Sequence, residues 1–154
     1  MSQERAFIVR ELTRDDVGLF RELLAVMGQA FDEPDTYTSA QPDTGYLRRL
    51  LGGDQFIALA ALQGGAVIGG LAAYDLPKFE QARREIYLYD LAVASAHRRK
   101  GVATALINEL RRIGKARGAH VIFVQADAPD LAAIALYTKL GTSEAVFHFD
   151  IDVG

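Results

Sequence analysis

The segment from Asp90 to Ala105 constrains this chain more than any other. It reads Asp90-Leu-Ala-Val93 and, after a short connection, His97-Arg-Arg-Lys-Gly-Val-Ala-Thr-Ala105. An apolar strand runs into a basic, glycine-containing turn, and the turn opens a helix. Such a helix start presents backbone N–H groups that no helical carbonyl satisfies, backed by a positive partial charge. Arg98, Arg99 and Lys100 stand beside it, and Gly101 permits close backbone approach or a positive φ. Basic side chains at this end oppose the helix dipole at a cost of about 0.3–1 kcal/mol, and a bound anion reverses the sign. The plain alternative is a solvated basic turn. The sharper reading is a cradle for a polyanion such as a pyrophosphate.

With 154 residues the chain has the length of one domain, 1–154, with a core of its own. Its composition, 50% hydrophobic and 24% charged, is that of a globular protein. No apolar run approaches the roughly 20 residues that cross a bilayer, so no membrane is expected. The opening Met1-Ser-Gln-Glu-Arg5 lacks a leader pattern. The chain has no cysteine, which removes disulfides, thiolate metal sites and a cysteine nucleophile, and suits the cytoplasm. A net charge of −3 and a pI near 5.6 argue against nucleic acid, whose binders carry basic surfaces. One basic cluster on an acidic chain suits an anionic cofactor there and a cationic substrate elsewhere. His97, His120 and His148 make no ligand spacing, so no metal is expected. The turn also lacks the Gly-x-x-x-x-Gly-Lys-Ser/Thr pattern of an ATPase.

Periodicity sets the order of elements. Phe7 and Val9 begin a strand, and Thr13-Arg-Asp-Asp16 resembles a capping box with Asp in place of Glu or Gln. Val17, Phe20, Leu23, Leu24 and Met27 follow at helical spacing. Residues 31–42, rich in Asp, Thr, Ser and Pro, read as loop. Tyr46, Leu47, Leu50 and Leu51 make a short helix stopped at Gly52-Gly53. Segments 56–62 and 66–76 form a hairpin across Gln63-Gly-Gly65. Residues 77–84 are a polar connection, in part helical, and 85–93 a strand. A helix over 102–117 ends at Gly118. A strand over 121–126, a helix over 131–140 and a strand over 145–151 complete the order βααβββαβαβ. That order is an α+β sheet with helices on both faces.

Here the chain resembles the GCN5-related N-acetyltransferases. Arg98-x-x-Gly101-x-Ala103 between strand and helix is similar to their acetyl-CoA loop, Arg/Gln-x-x-Gly-x-Gly/Ala. Ala135-Leu-Tyr-Thr-Lys-Leu-Gly141 is similar to their second cofactor segment, whose tyrosine lies near the CoA sulfur. The runs Phe56-Ile-Ala-Leu-Ala-Ala61, Ile86-Tyr-Leu-Tyr-Asp-Leu-Ala-Val93 and Phe147-His-Phe-Asp-Ile151 are further similar to the type I aminoglycoside 3-N-acetyltransferases. The resemblance implies a mixed, mostly antiparallel sheet, splayed where acetyl-CoA enters. It implies a cofactor site of Leu91, Ala92, Val93, Arg98, Arg99, Lys100, Gly101, Val102, Ala103, Thr104 and Tyr137. It further implies direct acetyl transfer to the 3-amine of a gentamicin-type drug, antibiotic resistance, and a homodimer. Other acceptors consistent with the family are a polyamine, another small amine or a protein N-terminus. A regulator that binds acetyl-CoA without transfer is the non-enzymatic alternative.

Residue by residue the argument is uneven. Strict alternation puts Asp90 on one face with Ile86, Leu88 and Ala92, an aspartate in an apolar row. Such conflicts between local rules mark functional sites, and a β-bulge would re-aim the side chain. Burial would raise its pKa toward that of a useful base; the bland reading is a carboxylate paired with Arg or Tyr. Tyr137 shares its helix with Ile134, Leu136 and Leu140 and by pattern alone is a core tyrosine. The resemblance instead makes it the acid that protonates the departing thiolate. Asp127 follows a strand beside the expected split. With Asp90, Tyr74, Glu85 and Asp150 it makes up the expected amine-binding set.

Overall fold

The computed structural model describes residues 6–154; Met1–Arg5, read above for a leader, lie outside the described residues. A five-stranded sheet runs in sequence order, β1 (Ile8–Glu11), β2 (Phe56–Gln63), β3 (Ala66–Pro77), β4 (Arg84–Val93) and β5 (Ala119–Val124). Neighbours pair antiparallel except β4 and β5, which are parallel. The parallel pair needs a crossover, and α4 (Val102–Ala116) supplies it. The expected α+β architecture is present, with three helices rather than two before β2.

Those helices are α1 (Val17–Ala30), α2 (Pro34–Thr38) and α3 (Thr44–Gly52). Asp16 folds back at the head of α1, where its Oδ2 accepts from the Thr13 N–H at 2.8 Å, half of the expected capping box. The apolar stripes of α1 and α3, with Phe20, Leu23, Met27, Leu47 and Leu51, cover one face of the sheet. The stripe of α4, with Leu106, Leu110 and Ile113, covers the other against Ile86 and Leu88. Contact between α1 and the sheet is close at Gly70. A Cβ there would stand 2.4 Å from the Leu59 carbonyl oxygen and 2.5 Å from Leu23 Cδ1.

Three expectations are corrected. Residues 31–42 are not all loop, because Pro34 at the first helical position starts α2. The 77–84 connection holds no helix; a turn closes it, the Lys78 N–H donating to the Arg83 carbonyl at 2.9 Å. The last strand over 145–151 does not form: among the described residues the stretch has no strand partner, and Phe147 is 91% exposed. The alternation is real, yet a strand also needs an edge to join.

Candidate active site

Two irregularities in β4 make the site. The first is a bulge. Ala72 pairs with Asp90 but Ala73 pairs with Leu88, so Tyr89 is the extra residue. Its insertion shifts the alternation by one. Upstream, Ile86 and Leu88 face α4; downstream, Leu91 and Val93 take over that face. Asp90 and Ala92 consequently turn to the side of α1, where Ala92 and Ala72 join the second core. The conflict seen in the sequence is resolved as anticipated: Asp90 leaves the apolar row.

The second irregularity is a parting of strands. Pairing between β4 and β5 runs from Arg84↔Ala119 to Leu88↔Val124 and stops. From Tyr89 to Val93 the edge of β4 that faces away from β3 has no strand partner among the described residues, and its amides can donate to a ligand. Leu91, Ala92 and Val93 lie on this open edge.

Asp90 is half-buried. The Tyr37 hydroxyl, carried in by α2, donates to its Oδ2 at 2.9 Å. Burial raises the Asp90 pKa above the ordinary carboxylate value; the Tyr37 hydrogen bond opposes that rise and the Glu33 charge adds to it. Tyr37 in turn is pushed up, first by burial and then by its bond to Asp90. It stays a hydrogen-bond donor at any physiological pH.

Beyond β4 the chain passes through a short 3₁₀ turn (Ser95–His97) and reaches α4 with unusual backbone. Arg99 has φ 60° and Gly101 φ 81°, both left-handed. For arginine this conformation is strained, a condition that clusters at ligand sites. Gly101 is the N-cap of α4, and no side chain caps that end or places an acid in its first turn. The exposed Arg98, Arg99 and Lys100 have no carboxylate within 4.0 Å among the described residues. Val102, Ala103 and Thr104 supply the next amides. Uncapped donors, unpaired cations and an αL backbone beside an open strand edge fit the diphosphate and pantetheine of CoA.

On α5 (Leu131–Leu140), Tyr137 packs against the core on the α4 side. Burial raises its pKa, followed by the charges of Asp130 and Asp90, which puts it within electrostatic reach of the bulge. Tyr74 is also near. It belongs to an aromatic row on the face that Asp90 shares, running Phe56–Tyr74–Tyr89–Tyr87–Phe123 with centroids 4.6–5.7 Å apart. Asp127 is exposed between β5 and α5, one turn before the α5 cap Asp130. The remaining two expected residues lie apart. Glu85 sits five residues down β4, about 16 Å along the strand, bound to Lys78 at 3.1 Å and His120 at 3.4 Å. Asp150 is in the exposed tail, 2.9 Å from His148.

Tyr37 and Tyr89 were missed. Tyr89 had a signal, since the bulge that re-aims Asp90 needs an extra residue next to it. Tyr37 is 53 residues from Asp90 in sequence, and only the Pro34 helix start hinted that its segment was ordered.

A family model described as the acetyltransferase (GNAT) family matches residues 20–142. The chain belongs to that family. An aminoglycoside acetyltransferase, HMB0005, from an uncultured soil metagenomic sample is 59% identical, with a TM-score of 0.95 over 96% of this chain and 99% of its own. A second such enzyme of soil metagenomic origin, meta-AAC0020, solved in complex with sisomicin, is 27% identical with a TM-score of 0.89, over 96% and 97% of the two chains. The N-acetyltransferase 8B of Rattus norvegicus is 26% identical over 89 residues, 58% of this chain and 40% of the relative. The chain thus spans well under half the length of the curated mammalian relatives it matches.

Proposed function

We propose that this protein transfers the acetyl group of acetyl-CoA to an amine of an aminoglycoside antibiotic, the 3-amine of a gentamicin-type drug. One observation carries the reading: the bulge at Tyr89 turns a half-buried carboxylate of raised pKa into the place where β4 and β5 part, beside an uncapped helix start. Support for the acceptor comes from the 59% identity with an aminoglycoside acetyltransferase.

Acetyl-CoA supplies an activated acyl group as a thioester. The amides of residues 99–104 and the side chains of Arg98, Arg99 and Lys100 hold its phosphates. The open edge of β4 at Leu91 and Ala92 donates to the thioester carbonyl and to the oxyanion that develops there. Asp90, as the carboxylate, takes the proton that the attacking amine loses. Tyr37 orients that carboxylate. Tyr137 gives a proton to the sulfur that leaves. Transfer is direct, with both reactants bound; with no cysteine in the chain, no acetyl-cysteine forms. Tyr74 and Asp127 meet the remaining ring and ammonium groups.

CoA release with gentamicin, followed by mass analysis of the product, tests the reading. The expected product is singly acetylated at the 3-amine. Acetylation at another position overturns the regiochemistry, and turnover only with polyamines or peptide N-termini overturns the drug assignment.

A further inference from the structure

A regular strand sends consecutive side chains to opposite faces, which keeps a ring and a carboxylate at neighbouring positions apart. The bulge of β4 suspends that rule at Tyr89 and Asp90. Tyr89 keeps the frame of Tyr87 and Tyr74, whose rings it meets edge-on at 5.3 and 5.7 Å. Asp90 already follows the next frame, with Ala92 on the α1 side. Both side chains therefore stand on one face, on Cα atoms about 3.8 Å apart.

The rings around Tyr89 make a surface that the core does not use. Tyr74, Tyr87, Tyr89 and Phe123 belong to neither apolar cluster, and Tyr89 is 57% exposed. Exposed apolar surface gathered in one place marks a ligand or partner site. The rings are nevertheless fixed. Tyr87 stacks on Phe123 at 4.6 Å, and its hydroxyl donates to Gln125 Oε1 at 3.1 Å. Tyr89 leans on Tyr74 and Tyr87 together. A tyrosine held in this way offers contact area at little cost in rotamer entropy. The charge beside it is negative. Glu33, the N-cap of α2, stands one turn before Tyr37, which is bonded to Asp90. Its side chain makes no capping bond. Neither Glu33 nor Asp90 has a cation within 4.0 Å among the described residues. An open ring surface beside two unpaired carboxylates fits a ligand that carries both ammonium groups and an apolar ring face.

We propose that Tyr89, braced by Tyr74 and Tyr87, is the platform on which a second ring of the acceptor lies while the reacting amine stands at Asp90, and that Glu33 takes an ammonium group of that ring. The inference rests on the aminoglycoside reading and deepens it. A linear polyamine such as spermidine brings the charges but no ring face to lay on Tyr89. The carboxylates therefore attract any polycation, and the platform selects the cyclic ones. The bulge serves both ends of the substrate, since the residue it inserts holds one ring and the residue it re-aims meets the amine of the other.

The test is titration calorimetry of gentamicin into the full chain in the presence of CoA, at low and at high salt. Tyr89→Leu is expected to weaken binding about tenfold at both. Tyr89→Phe keeps the ring and is expected to stay within about twofold of the parent. Glu33→Gln is expected to weaken binding about fivefold at low salt and less at high salt, where exposed charges are screened. Spermidine is the control. It is expected to bind the parent at least about tenfold more weakly than gentamicin and to lose nothing further in Tyr89→Leu. Gentamicin bound by Tyr89→Leu as tightly as by the parent overturns the platform, and so do equal losses for gentamicin and spermidine; both leave the aminoglycoside reading standing. An unchanged affinity in Glu33→Gln at low salt overturns the role of Glu33. A parent that binds no aminoglycoside overturns the platform and the aminoglycoside reading together.

Discussion

The Tyr37 hydroxyl lies 2.9 Å from Asp90 Oδ2 and ties α2 to the bulged strand β4. This bond opposes the burial that raises the Asp90 pKa. Tyr37→Phe removes the opposition, so the carboxylate is expected to hold its proton to higher pH. The acid limb of the kcat/KM profile moves upward, and chemical denaturation shows a loss of about 0.5–1.5 kcal/mol. An acid limb that stays in place would separate Tyr37 from the reaction.

Asp90→Asn has the opposite balance. Turnover falls by about 10²–10⁴ for a general base, and the acid limb disappears. Stability goes the other way. The fold holds Asp90 more protonated than the unfolded chain does. Its contribution is therefore full below the unfolded pKa of about 3.9 and is lost as pH rises through the raised folded value. The amide has no charge to bury, so the variant is expected to melt at or above the parent at pH 7, with the gap closing in acid. Calorimetry across pH 4–8 reads this sign.

Gly101→Val tests the loop. Its Cβ meets nothing within 4 Å, so no clash follows, but φ is +81°. A β-branched residue resists that conformation by about 1–3 kcal/mol. The loop relaxes and the amides lose their aim. Affinity for CoA, measured by titration calorimetry, is expected to fall about tenfold or more, while the melting temperature drops only slightly.

Gly70→Ala is the stability counterpart: Gly70 pairs with Ala92 of β4, but the added methyl points at β2 and α1. The added methyl would strike a β2 carbonyl and Leu23 together. Overpacking of this kind costs about 1–3 kcal/mol, or about 2–4 °C in Tm per kcal/mol at this chain length. Thermal denaturation reads the loss.

Much of this was legible in the sequence. The basic turn between strand and helix, the misfit of Asp90 in its row and the bulge that resolves it all follow from local periodicity, and each lies within one stretch of chain. Tyr37 was hidden because what gives it a role is a partner 53 residues away, and α2 is too short to show an apolar stripe. The tail failed differently. Phe147, Phe149 and Ile151 state what kind of strand they would make, whereas whether an edge receives them is set by the topology of the sheet.

The extra residue at Tyr89 gives β4 two reading frames. Before it, even-numbered side chains face α4; after it, odd-numbered ones do. Were Tyr89 held in regular alternation, without the bulge, Asp90 would fall among Leu88 and Ile86, and Leu91 and Val93 would turn to the opposite face. The inserted residue is therefore what lets one strand serve the core before it and the site after it. The two frames also differ in what a side-chain replacement disturbs: at Ile86 and Leu88 it is the packing against α4, at Asp90 the reaction and the pH dependence of stability.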